Sequence, residues 1–206
     1  MPRGRPREFD MDKALDSALL LFWRHGYEGT SISALAEAMG VNMPSLYAAF
    51  ESKEMLFRKA LERYLQGPAS YLPNALKEPP ALRVVKKLFA GAIDLAMNPR
   101  HPDGCLLVQG ALSAGPGSME ICKQLAMVRA AAESAVRRRF ERALDEGDLP
   151  SGTDAAALAR YIITVIWGMS VQAAGGANRA QLEQVAKTAL RCWPKKKKAR
   201  REQLLS

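Results

Sequence analysis

The stretch Thr30-Ser31-Ile32-Ser33-Ala34-Leu35-Ala36-Glu37-Ala38-Met39-Gly40-Val41-Asn42-Met43-Pro44-Ser45-Leu46-Tyr47-Ala48-Ala49-Phe50 reads as two short helices hinged at one glycine. Ser31 can cap the first, its hydroxyl accepting from a backbone N–H with no partner inside the helix, while Leu35, Ala36 and Met39 form an apolar stripe at helical spacing. Gly40 ends that helix, because a left-handed terminal residue costs glycine least. Asn42 can cap the second helix, Pro44 is tolerated in its first turn, and Val41, Leu46 and Phe50 point back to a core. Met43, Ser45, Tyr47 and Ala48 are left facing outward, on a helix shaped to read a DNA groove.

The flanks extend this pattern. Upstream, Ala14-Leu15, Ala18 and Leu21-Phe22 share one face of a helix stopped by Gly26, with Tyr27 placed to pack back on Phe22. Downstream, Phe50-Glu51-Ser52-Lys53-Glu54-Met55-Leu56 predicts a turn and a new helix capped at Ser52, with Lys53 in its first turn. A lysine is unfavourable at the positive end of a helix dipole unless an anion sits there too, and a DNA phosphate is such an anion.

Residues 14 to 57 resemble the DNA-binding domain of the tetracycline-repressor (TetR) family. The resemblance is carried without a gap by Ala14-Leu15, Ala18, Leu21-Phe22, Gly26-Tyr27, Thr30-Ser31, Leu35-Ala36, Gly40-Val41, Ser45-Leu46-Tyr47, Phe50 and Lys53-Glu54-Met55-Leu56. It implies an all-α chain, with an N-terminal three-helix helix-turn-helix DNA-binding domain and a C-terminal helical ligand-binding and dimerisation domain. Beyond about residue 66 the likeness is architectural only. It further implies that the Asn42-to-Phe50 helix enters the major groove. By matching position, Ser31, Ser45, Tyr47 and Lys53 are expected chiefly to hold phosphates, and Ser33, Met43, Pro44 and Ala48 to face base edges, with Asn42 at the rim. Met43 and Ala48 offer bases no strong hydrogen bonds, so contact with thymine methyls and DNA shape must supply much of the discrimination. Tyr47 keeps a second reading as a core-packed aromatic.

Charge supports this less than the net +9 implies. Residues 1 to 66 carry nine Lys/Arg against nine Asp/Glu, residues 67 to 190 fourteen against eleven, and the tail from Arg191 to Ser206 seven against one. Basicity is thus mainly a property of the tail. Within the leader Pro2-Arg3-Gly4-Arg5-Pro6-Arg7, Arg3 and Arg5 are candidates for phosphate or minor-groove contact, the alternative being a solvated terminus. The run Lys195-Lys196-Lys197-Lys198-Ala199-Arg200-Arg201 reads as a solvated tail, with nonspecific DNA affinity, contact with an acidic membrane surface or a nuclear import signal as alternatives. The TetR resemblance points to a prokaryotic cell.

A chain of 206 residues can bury one substantial core or two small ones. It holds no unbroken run of about 18 apolar residues and no charged-then-apolar leader, so a cytoplasmic, DNA-associated location without stable membrane insertion is expected. Cys105, Cys122 and Cys192 are odd in number and lack metal spacing, so reduced thiols are expected and no metal or cofactor, with a redox switch as the alternative. His25 and His101 are the only histidines and neither has a nucleophile or metal pattern beside it, which argues against an enzyme.

The spacing predicts helices from Leu56 to Leu65, Leu82 to Met97, Cys105 to Leu112, Ser118 to about Asp145, Asp154 to Ala174 and Arg179 to Trp193, with Gly115-Pro116-Gly117 closing the third. The expected organisation is a basic arm (1–9), a reading domain with a linking helix (10–66), a regulatory and dimerisation domain (67–193) and a basic tail (194–206). The Asp154–Ala174 helix is apolar around more than one stripe and must be covered on two sides. With Arg179–Trp193 it can form half of a four-helix interface in a homodimer, the alternative being a purely intrachain core. Family members commonly enclose a small molecule among the middle helices. The resemblance therefore makes Phe89, Ile93, Met97, Leu107, Met127, Val128 and Trp167 candidate apolar lining, and Gln109, Arg129 and Tyr161 candidate polar contacts, for a small apolar or amphipathic effector. The resulting expectation is a ligand-released repressor that binds a palindromic double-stranded operator as a dimer. A constitutive DNA binder without effector and a dimeric helical scaffold are the alternatives.

Overall fold

Side-chain caps set the first four helices. A computed structural model describes residues 10–112 and 118–195; the arm with Arg3 and Arg5, the Gly115-Pro116-Gly117 segment and the tail beyond Lys195 lie outside the described residues. Helix α1 (Met11–His25) starts at Asp10, whose carboxylate accepts from the Lys13 N–H, and stops at Gly26 with φ 70°. Helix α2 (Ile32–Met39) is capped by Ser31 Oγ, 3.1 Å from the Ala34 N–H, and ends at left-handed Gly40 (φ 68°, ψ 30°). The Gly40 and Val41 N–H groups donate back to the Glu37 and Ala36 carbonyls, which closes the turn. Asn42 Oδ1 accepts from the Ser45 N–H at 2.8 Å to open α3 (Met43–Phe50), with Pro44 in the first turn as the sequence predicts. Ser52 Oγ then caps α4 (Lys53–Gln66).

Between α3 and α4 the backbone turns on Glu51 at φ 64°, ψ −49°, and the Ser52 N–H donates to the Phe50 carbonyl at 2.6 Å. That is a tight three-residue turn of the strained kind.

After a 3₁₀ turn (Pro68–Ser70) come α5 (Tyr71–Ala75), α6 (Ala81–Ala96), α7 (Leu106–Leu112), α8 (Met119–Asp145), α9 (Ala155–Ala174) and α10 (Arg179–Arg191). No strand occurs among the described residues. The 3₁₀ turn and α5 have no counterpart in the sequence reading, because five residues are too few to display a helical period.

Two apolar clusters hold the chain. The first gathers Phe22, Trp23, Leu35, Leu46, Phe50, Phe57 and Tyr64 from α1 to α4, and continues into Leu95, Cys105, Leu106, Leu107, Ile121 and Leu125. Burying each large side chain contributes about 1.5–3 kcal/mol, so this shared packing ties the helix-turn-helix head to the helices behind it. At the cluster's centre Phe22 meets Phe57 edge to face at 5.0 Å. Arg63 clamps the far end of α4 to α1 through Asp12 and Asp16, and these carboxylates raise its already high pKa further. The second cluster packs α6 against the C-terminal half of α8, α9 and α10, around Val85, Leu88, Phe140, Ile162, Ile166 and Leu182.

Helix α9 qualifies an expectation. Its 18-residue window averages a hydropathy of 1.3, long and apolar enough for a bilayer span, although Arg160, Thr164 and Gly168 interrupt every unbroken run. It packs on α6, α8 and α10, and 39% of that window is buried. Its outward side exposes Tyr161, Thr164, Gly168 and Val171.

Candidate nucleic-acid interface

The surface of α3 is built by what faces the other way. Leu46 and Phe50 are buried beneath it, so Met43, Pro44, Tyr47 and Ala48, displaced around the helix, are carried outward. Met43 is 50% and Tyr47 47% exposed, which disposes of a core-packed Tyr47 within this protomer. Ser45 is half-buried, its backbone N–H spent on the Asn42 cap. That cap uses Asn42 Oδ1, and the cap itself does not draw on the amide's two donors.

Ser31 and Ser33 lie at the start of α2, both exposed and 3.0 Å apart through their hydroxyls. Ser31 Oγ accepts from the Ala34 N–H and shares a hydrogen bond with Ser33 Oγ, so the pair has a hydroxyl proton to offer, the polarity a phosphate oxygen requires. Lys53 stands in the first turn of α4, as expected, against an aromatic ring. Its Nζ stands 4.3 Å from the centre of the Tyr27 ring, and partial burial lowers its pKa while Glu28 opposes that shift. Tyr27 in turn stacks on Phe22 and meets Phe57 edge to face. The ammonium is therefore positioned at the N-terminus of α4 by an aromatic ring braced on the core. Tyr27 as a lysine seat was readable only as a contact of Phe22, since nothing in its spacing shows the cation.

Behind the head, between α4, α6, α7, α8 and α9, lies a cavity of about 300 Å³. Of the candidate lining, Leu107, Val128 and Trp167 face it. The other seven do not. Phe89 and Ile93 are buried in the second cluster, with Met97 beside it; α6 is buried nearly all round, and the void happens to meet Ala92 and Leu95 instead. Met127 is 68% exposed, one position off the inward stripe that carries Val128. Arg129 Nη1 donates to the Leu107 carbonyl at 2.6 Å and Gln109 Nε2 to the Asp103 carbonyl at 2.9 Å, so both serve the backbone of the α6–α7 region. Tyr161, 38% exposed, lies on the outer side of α9 near Cys192.

Sequence reasoning missed the polar wall: Tyr64 from α4, Tyr71 from α5, and Cys105 just before α7. Tyr64 Oη and Cys105 Sγ are 3.1 Å apart, and burial pushes both groups' pKa values up, so both stay neutral.

Residues 14–60 match the family model for bacterial regulatory proteins of the tetR family, and residues 81–189 match that for the tetracyclin repressor-like C-terminal domain. The chain belongs to the TetR family. Among its relatives, the transcriptional repressor ComR of Escherichia coli (strain K12) is 37% identical over 194 residues, covering 93% of this chain and 92% of ComR. The repressor BdcR of the same organism is 31% identical, covering 87% and 86%. A solved structure of the TetR-family regulator CifR, a cysteine mutant complexed with 26-bp operator DNA, superposes with a TM-score of 0.89 at 42% identity, covering 93% of this chain and all of CifR. This TetR-family regulator thus has regulators as relatives over nearly its full length.

Proposed function

We propose that this TetR-family regulator is a homodimeric, cytoplasmic repressor that lays α3 of each copy into the major groove of a palindromic operator and leaves it when an effector fills the cavity behind the head. The observation that carries the reading is the outward face of α3: two large side chains, Met43 and Tyr47, are half exposed on a helix otherwise anchored by Leu46 and Phe50. In this reading Met43, Pro44, Ala48 and Ser33 meet base edges. Ser31, Ser45, Tyr47 and Lys53 hold phosphates, with Asn42 at the rim and Arg3 and Arg5 on an adjacent groove or phosphate. The full-length likeness to CifR, which was solved on operator DNA, supports it.

The dimer rests on α9 and α10. Their outer face exposes Tyr161, Val171 and Val185, and Gly168 sits mid-helix with open space where a side chain would be. A glycine there weakens the helix without serving any contact in the protomer, which is understandable when a second copy's helix crosses closely. Two heads so joined present their reading helices about 34 Å apart, one DNA turn. The division into a basic arm (1–9), a reading domain (10–66), a regulatory and dimerisation domain (67–193) and a basic tail (194–206) is part of the same proposal. Selection of random duplex DNA by the purified protein, followed by sequencing, tests it: an inverted repeat with half-sites about one turn apart is expected. Enrichment of no duplex, or of a single unrepeated half-site, overturns it.

A further inference from the structure

The cavity wall defines a ligand class, and one pair of side chains defines where its polar atom goes. Among the described residues no charged side chain lines the void; the lining they form is aliphatic and aromatic apart from a few hydroxyls and the Cys105 thiol. Arg129, whose charge reaches the Cys105 thiol, lies outside the lining with its Nη1 on the Leu107 carbonyl, so a charged ligand would be desolvated there with no charged lining side chain to pair with it. The Tyr64 hydroxyl is fully buried; the Leu106 backbone N–H reaches its oxygen, and its side-chain partner, at 3.1 Å, is Cys105 Sγ. A thiol is a weak hydrogen-bonding partner, and it hangs from a single rotatable bond. In a dry wall a better acceptor displaces it.

We propose that the cavity takes a small, uncharged, largely apolar molecule bearing one acceptor oxygen, and that this oxygen replaces the Cys105 thiol as the partner of the Tyr64 hydroxyl. The inference rests on the effector-released reading above and adds to it the ligand's chemistry and its handle. Tyr64 is well placed to report the exchange. Its ring meets Trp23 of α1 edge to face at 4.8 Å, and Trp23 also stacks on His101 of the α6–α7 loop at 5.1 Å. One side chain thus touches the cavity, the linking helix to which it belongs and the first helix of the head.

Three probes of nearly equal shape separate the elements of the proposal: 2-acetylnaphthalene, with an acceptor oxygen; 2-ethylnaphthalene, without one; and 2-naphthoate, charged. Equilibrium dialysis against the full chain is expected to rank the ketone about five- to tenfold above the hydrocarbon, as one net hydrogen bond allows. The naphthoate is expected to bind at least about a hundredfold more weakly than the ketone. Tyr64→Phe is expected to bring ketone and hydrocarbon to the same affinity while leaving the hydrocarbon's own affinity in place. Cys105→Ala, which removes the competitor and retains the hydroxyl, is expected to widen the ketone's advantage. A ketone preference that survives Tyr64→Phe, or a narrower one in Cys105→Ala, overturns the handle. Naphthoate binding as well as the ketone, or retention of none of the three, overturns the ligand class. Binding of the selected duplex by the same preparations reports on the regulator reading separately: probes that fail to bind a protein still holding its duplex refute only this inference.

Discussion

Gly91 stands inside α6 and Gly168 inside α9, and each weakens its helix by about 1 kcal/mol relative to alanine. Gly91 has its reason inside the protomer: a Cβ there would lie 2.5–2.6 Å from the Tyr71 side chain, so the ring occupies the space. Gly168 has none, since a Cβ would meet nothing within 4 Å. For an isolated protomer, Gly168→Ala should therefore be a plain gain of about 1 kcal/mol. In a two-fold dimer packed through α9, the added methyl enters the interface twice, and forcing it into a close helix crossing costs about 1–3 kcal/mol each time. The sum is about 2–6 kcal/mol per dimer, which raises the dimer dissociation constant at least about 30-fold. Sedimentation across a concentration series measures that constant directly, with thermal unfolding of the dilute protein as control. Expected is a weaker dimer built from a slightly more stable protomer. If Gly168→Ala raises the melting temperature and leaves the dimer as tight as before, no second helix passes near Gly168 and the argument fails.

Other outcomes follow from single contacts. Lys53→Ala should weaken binding to all duplexes alike and reduce the salt slope by about one phosphate contact, while Lys53→Arg keeps both; an unchanged slope in titrations against salt removes the phosphate role. Glu51→Gly relieves a non-glycine residue at φ 64°, and should raise stability by about 1 kcal/mol, or about 2–4 °C in melting temperature, with no effect read as absence of strain at the α3–α4 turn. His101 is held below its ordinary pKa of 6.5 by burial and then by Arg100. Its contribution to stability is therefore full above that value and declines as pH falls through the lower folded-state value, because the unfolded chain takes up the proton first. Glu78 and Glu120, lowered from 4.5 by their hydrogen bonds to Lys87 and Lys123, act only at still lower pH. His101→Gln should accordingly flatten the pH dependence of the melting temperature as pH falls below 6.5, and curves of equal slope would deny that burial holds His101 neutral.

What was legible in the sequence was local. Ser31, Asn42 and Ser52 each cap a helix because their side chains reach a backbone N–H three residues on, a relation spacing alone displays. The inward stripe Leu46–Phe50 likewise determines which residues of α3 face outward. The cavity was not legible, since a void has no period: in α6, Phe89 and Ile93 differ from Ala92 and Leu95 only in what packs opposite them. Tyr64 and Cys105 are 41 positions apart, and no local pattern joins them. Arg139 is the opposite case, a cation at 4% exposure that donates to the Glu78 and Pro79 carbonyls before α6. A charged residue among apolar ones on a helix reads as surface until the turn that satisfies it is known.

Helix α4 is where the two halves of the proposed mechanism meet. Its 14 residues make a rod about 20 Å long, with Ser52 and Lys53 beside the reading helix at one end and Tyr64 in the cavity wall at the other. A ligand moves this rod only by preferring one of its positions, and one hydrogen bond to Tyr64 that forms in that position alone is worth about tenfold. In a dimer both cavities act on one duplex, so two such preferences multiply to about a hundredfold loss of DNA affinity. Neither a large conformational change within the head nor a charged effector is required for release on that scale. The head's own core, from Phe22 to Phe57, can stay intact while its angle to its twin changes.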